Sequence, residues 1–364
     1  MNTVPRALRI SSVIFMVGAF AVGSSQSQTI VKFNAPGFGT SVGQGTFAAS
    51  INAAGEIAGY VIDAGNVNHG FVRAASGAIT EFNAPDAGTA AGQGTLATCI
   101  NTSGEIAGAY LDAISVAHGF THTGSGTMTE FSAASAGTNS DQGTFALGIN
   151  ASGSIGGYYI DSANVSHGFA RSASGVITEF DVAGAGTGFG QGTVGYSIDT
   201  SGTITGYYLD AAYIYHGYLR SADGSITTFN APGAGGGLNQ GTTPEGINAG
   251  GMITGFYSDS NGVSRGFARL TSGKIVQFAV AAGKGTYANS INTAGSVSGF
   301  YLDANSAFHG FVRAATGVIT GFSVPGSGTG GGQGTVSLGI NVSGDITGYY
   351  VDGSGAAHGY ERTP

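Results

Sequence analysis

Apolar and polar positions alternate in short runs along the chain, and each run stops at a turn rich in Gly, Asn, Asp or Ser. Thr144–Asn150 (TFALGIN), Ser154–Asp161 (SIGGYYID), Val165–Arg171 (VSHGFAR) and Val176–Phe180 (VITEF) show the pattern. Runs of this length, rich in Ile, Val, Thr, Tyr and Phe, predict β-strands, and the residues between them predict tight reversals. Helical periodicity is nowhere sustained, and the dense glycine opposes it.

The four-run block recurs. A Phe marks each recurrence, at Phe33, Phe82, Phe131, Phe180, Phe229 and Phe278 in steps of 49, with a last step of 44 to Phe322. Four short strands in a period of this size make one propeller blade. The final copy has Thr335–Asn341, Asp345–Asp352 and Ala356–Arg362 but lacks a fourth strand, and a spare one, Thr29–Phe33, stands near the start. The expectation is an all-β, seven-bladed β-propeller with four antiparallel strands per blade. It forms a single domain over residues 29–364, its ring closed by strand 29–33 joining the last blade. Closure of this kind leaves no free strand edge. The Thr-x-x-x-small-Ile-Asn strand is then innermost, and the Gly-rich crossings share one face with the hairpins between second and third strands.

Composition narrows the class. Arg6 and Arg9 followed by the apolar run Ile10–Val22 predict a signal peptide over residues 1–21, cleaved near 21–28. The run is shorter than the roughly 20 residues of a spanning helix, so no membrane insertion is expected after cleavage. The formal net charge is −8 with both leader arginines included, which excludes a nucleic-acid partner. The one cysteine, Cys99, permits no intrachain disulfide, and it aligns with Ser50, Gly148, Ser197, Gly246, Ser290 and Gly339, all small.

The most chemical-looking residues repeat with the fold. Each copy carries an Asp (Asp63, Asp112, Asp161, Asp210, Asp259, Asp303, Asp352), and six carry a His six positions later (His69, His118, His167, His216, His309, His358). His and carboxylate suit metal ligation or acid–base work. Equivalent side chains on separate blades, however, stand too far apart to share an ion. A feature present in every blade serves the blade: the Asp accepts bonds from turn N–H groups, and the His donates to it across the hairpin. A recurrent Arg four residues after the His is expected to make surface or inter-blade ion pairs. No metal and no cofactor are expected. The Gly-rich crossings lack the Lys-Ser/Thr and the following helix of a phosphate loop.

Symmetry breaks once. The fifth copy has Arg265 where the others have His, and the crossing after it, residues 279–284, is five residues shorter, with Lys284 in place of Gln. A shorter crossing predicts a notch at the junction of blades five and six. Arg265, Lys284 and Lys274, flanked by His216 and His309, would offer it to an anionic or polar ligand.

The order Gly-Ile-Asn-x-x-Gly-x-Ile-x-Gly-Tyr-Tyr, His-Gly-Phe, Gly-x-Ile-Thr-x-Phe resembles the HAF family of bacterial extracellular repeats, over the whole mature chain. In that family His precedes Ala, whereas here it precedes Gly. The resemblance implies a periplasmic or extracellular repeat protein and brings no catalytic residues with it. The function expected is a binding scaffold for a surface protein or glycan. The alternatives are a structural cell-surface repeat or a lyase or hydrolase acting on a polysaccharide or lactone. Sixteen Tyr supply contact area for a binding face, although no Trp is present for sugar stacking.

Overall fold

The computed structural model describes residues 28–280 and 283–364. The leader expected over 1–21 lies outside them. The described residues are all-β, with 28 strands. In the third copy, Gly143–Ile149, Ile155–Ile160, Ser166–Arg171 and Ile177–Phe180 form an antiparallel meander. The same order recurs in every copy. In the last, Gly334–Ile340, Ile346–Val351 and Ala357–Thr363 are followed in space by Thr29–Phe33, which pairs antiparallel with Ala357–Thr363.

Each copy has its own core. In the third, Ile155 and Phe169 are fully buried with Ala146, against Phe131 of the copy before. Burial of an aromatic or branched aliphatic side chain contributes about 1.5–3 kcal/mol, so these positions hold the array together. The Phe that ends each copy, such as Phe82, lies flat over the Gly of His-Gly: a Cβ on Gly70 would stand 2.7 Å from the Phe82 ring. The same close approach recurs at Gly119 under Phe131, where the distance is 2.5 Å. This crowding is the physical reason that each His here precedes Gly and not Ala.

Two devices join one copy to the next. In six of the seven copies the Gly that opens the first strand has positive φ and bridges backbone to backbone with the third strand of the preceding copy, as at Gly94↔Asn68 and Gly192↔Ser166. At the other end, an Asn side chain donates to the main-chain oxygen of the corresponding residue in the next copy. The bonds run Asn52→Asn101, Asn101→Asn150 and Asn150→Asp199 at 3.0–3.1 Å, then Asn248→Asn292, Asn292→Asn341 and Asn341→Asn52 at 2.8–3.1 Å. Only Asp199, which has no amide to donate, breaks this belt among the described residues. The recurrent Arg makes a third contact. Its guanidinium covers the closing Phe of the preceding copy at 4.6–4.9 Å, as Arg171 does Phe131 and Arg220 does Phe180. The expected ion pair is found at Arg73–Glu361, 2.9 Å; elsewhere the joint is a cation–π contact.

Candidate functional site

The repeated Asp and His stay within their own copies. Asp63 Oδ1 accepts the N–H groups of Gly65 and Val67, both at 2.8 Å, and its Oδ2 faces His69 Nε2 at 3.4 Å. The arrangement recurs at Asp112/His118, Asp161/His167, Asp210/His216, Asp303/His309 and Asp352/His358. Most of the imidazoles also stack on a Tyr, as His216 does on Tyr208 and His309 on Tyr301. Partial desolvation raises these Asp carboxyls, but the N–H bonds and the His outweigh it and hold all of them below the usual carboxylate range. Among the described residues, no three His, Cys, Asp or Glu side chains gather to hold a metal ion.

Arg265 takes the place of the His in this scheme. Its Nε donates to Asp259 Oδ2 at 3.0 Å. Lys284 is exposed, with its N–H bonded to Leu302 O at 2.7 Å. Lys274 lies in the turn just before Ile275–Phe278, at the opposite strand end from Arg265, so the three cations do not converge. His216 and His309 remain in their own Asp pairs.

The shortened crossing does change the junction. Ser264 and Gly285 stand where every other junction has its Gly bridge, and the described residues show none there; Gly285 also lacks the positive φ of its counterparts. A cavity of about 400 Å³ lies nearby, between the fourth and fifth copies where Gly241 bridges Tyr215, and it reaches the sixth copy through Tyr287. It does not hold the residues expected at the notch. Ser264 and Phe256 face it, and alternation along a strand puts Arg265, beside Tyr257, on the other side of the sheet. Neither Arg265 nor Lys284 is part of the lining. In their place stand Tyr196, Tyr207, Tyr215, Phe256, Tyr287 and Glu245.

Glu245 belongs to a set that periodicity hides. In every copy the pairing of first and second strands skips one residue: Ala49, Thr98, Leu147, Tyr196, Glu245, Asn289 and Leu338 have no partner. Each is a β-bulge, and a bulge re-aims a side chain. All of them line one central passage of about 490 Å³. The residues on either side stay small, from Ala48 and Ser50 to Ser337 and Gly339, whereas the bulged position ranges from Ala49 and Leu147 to Tyr196, Glu245 and Asn289. Rings crowd the same passage, among them Phe300, Phe308 and Tyr349. Toward the belt the passage narrows to about 220 Å³, lined by repeated Ile and Asn such as Ile51 and Asn52.

Glu245 is half-buried, with its carboxyl packed closely among protein groups where it meets the two cavities. That desolvation pushes its pKa up to about 8, against a smaller lowering by the Tyr196 hydroxyl. The Glu245 charge in turn drives the Tyr196 phenol well above its ordinary value, with burial adding to it. Burial likewise raises Tyr207 and pushes the Cys99 thiol up to about 12, so Cys99 is an inert small residue in a crowded strand.

No family model and no curated protein matches the chain. Among solved structures it is similar to a catalytically inactive virginiamycin B lyase from Staphylococcus aureus with quinupristin. The TM-score is 0.56 at 16% identity, over 93% of this chain and 99% of that one. It is similar to the same degree to a lectin from Burkholderia pseudomallei, with TM-score 0.56 at 8% identity over 86% of this chain and 94% of that one. At these identities the likeness concerns the fold alone, a β-propeller of repeated blades.

Proposed function

We propose that the chain is an exported seven-bladed binding scaffold that takes up a glycan in the wide end of its central passage. Two contacts support the reading of seven blades of four strands closed into a ring. Thr29–Phe33 completes the last meander, and Asn341 bonds back to Asn52. The leader-like run Ile10–Val22 and the likeness to HAF repeats support a place in the periplasm or outside the cell.

The single observation that carries the binding reading is the set of bulged residues. Positions that build the array repeat. The positions aimed into the passage vary, and they include one acid, one phenol and one amide: Glu245, Tyr196 and Asn289. Half-buried aromatic rings around a few polar groups are the usual composition of a small-ligand site, and rings also suit the C–H faces of sugars. The likeness to a lectin is compatible with this choice at the level of fold.

The test is a thermal-shift screen of the purified protein against a panel of oligosaccharides, repeated on Tyr349→Ala and Glu245→Gln. Ligands that bind only the folded state raise its apparent stability by mass action. A glycan whose shift is lost in both variants supports the reading. A panel with no shift, or a shift that survives both changes or is lost only with Arg265→Ala plus Lys284→Ala, overturns the proposed location. Capture of a protein partner that the same two substitutions leave intact would favour the outer face instead.

A further inference from the structure

The cavity between the fourth and fifth copies, which reaches Tyr287 of the sixth, is walled mainly by aromatic rings. Two angled ring pairs wall it: Tyr207 and Tyr215, centroids 5.2 Å apart at 67°, and Phe256 and Tyr287, 5.0 Å apart at 65°. Tyr196 adds a fifth ring. All five side chains are half-buried, so each keeps surface open to the cavity. One carboxyl, Glu245, reaches in, and no Lys or Arg lines the space. Between the third and fourth copies the corresponding hollow is about 160 Å³, has Val194 on its wall, and holds no carboxyl. The acid comes from the bulge at Glu245, which lies between the paired Pro244 and Gly246.

We propose that this cavity is an aromatic cage for an organic ammonium group, with Glu245 as its counter-charge. The proposal rests on the reading of the passage as a ligand site and names the ligand's chemistry. Several ring faces turned toward one point attract a cation through their quadrupoles, most strongly when water is excluded. A carboxylate held among rings without a basic partner is costly to ionise, and an ammonium ion supplies the missing partner. The volume falls in the range of small-ligand pockets. The other titratable groups around Glu245 are phenols: Tyr196, Tyr207, Tyr215 and Tyr287. In the empty protein the carboxyl, with its pKa near 8, keeps a proton at neutral pH. The bound cation displaces that proton to buffer, so affinity rises with pH until Glu245 is ionised in the free protein. The ammonium group could belong to a quaternary amine or to an amino sugar.

The experiment is isothermal titration of the purified protein with choline, glucosamine and 3,3-dimethylbutanol, a neutral isostere of choline, at pH 6.5 and pH 8.5. The expected result is binding of at least one ammonium ligand, tenfold or more tighter than the isostere, and, for choline, whose charge does not titrate, tighter at pH 8.5 than at pH 6.5. Glu245→Gln should weaken it tenfold or more. Phe256→Leu, which keeps an apolar side chain and removes a ring, should weaken it several-fold, and it decides the matter if Glu245→Gln fails to fold. Preference for choline or for glucosamine distinguishes the two sources. Equal binding of the isostere, or ammonium binding indifferent to both substitutions, overturns the cage. If a neutral glycan binds in the passage while no ammonium ligand does, the cage is wrong and the scaffold reading stands. If nothing binds in the passage, both are wrong.

Discussion

The two ends of the central passage are made by the same strands and obey different rules. At the narrow end each copy contributes an Ile and an Asn, or Asp in one case, and each Asn ties its copy to the next. At the wide end each copy contributes a bulged residue with no ladder partner, and these differ from copy to copy. One end is a joint, where a change in any copy breaks a bond to its neighbour. The other is largely a surface: Thr98 and Asn289 still donate to Ala146 O and Ser337 O of the next copy at 2.8 Å, and a change at the remaining bulged positions alters what the passage presents.

That contrast can be broken at its strongest point first. Phe120 is fully buried in a repeated position, and Phe120→Ala should cost about 3–5 kcal/mol in urea unfolding. Leu147→Ala, at a bulge, should cost no more than about 1 kcal/mol. Equal losses would dissolve the distinction. Next comes the belt. Asn101 donates to Asn150 O and accepts from Ser103 and Glu105 N–H, so Asn101→Ala should cost about 2 kcal/mol by the same measurement.

The broken belt link offers a change of opposite sign. Asp199→Asn supplies the amide that its position lacks and should stabilise by about 1 kcal/mol, read as a higher melting temperature. A loss of stability would mean that the copies around Asp199 are spaced differently from the rest.

The smallest effects are in pH. Glu245 has its native pKa raised above the unfolded one, so its favourable contribution is complete below about 4.5 and is lost as pH rises toward 8. The Asp of the hairpins are depressed, so their contribution is present above about 4 and lost as pH falls through the native values. Urea midpoints from pH 5 to 9 should therefore fall with rising pH in the wild type, and fall less in Glu245→Gln. Identical profiles would place Glu245 in water.

Much of this contrast was legible in the residues, and the exceptions have one cause. Strands, turns and the four-run block follow from alternation and from turn chemistry, because both are local. The Asp and His could be assigned to the hairpin because they recur in nearly every copy. Glu245 was passed over because a bulge breaks period-two alternation, and no local pattern announces a skipped residue. The available signal was the variation at 49, 98, 147, 196, 245, 289 and 338, one position before the small residue that drew attention. The cations of the short crossing do not line the cavity, because strand alternation puts Arg265 on the other side of the sheet from Phe256 and Ser264.

The bulges also make the molecule unusually easy to rewrite. Each aims one side chain into a shared space while contributing no ladder hydrogen bond, so substitutions there can be combined across copies with little coupling through the backbone. A library randomised at these positions alone would sample many pocket chemistries on one unchanged framework.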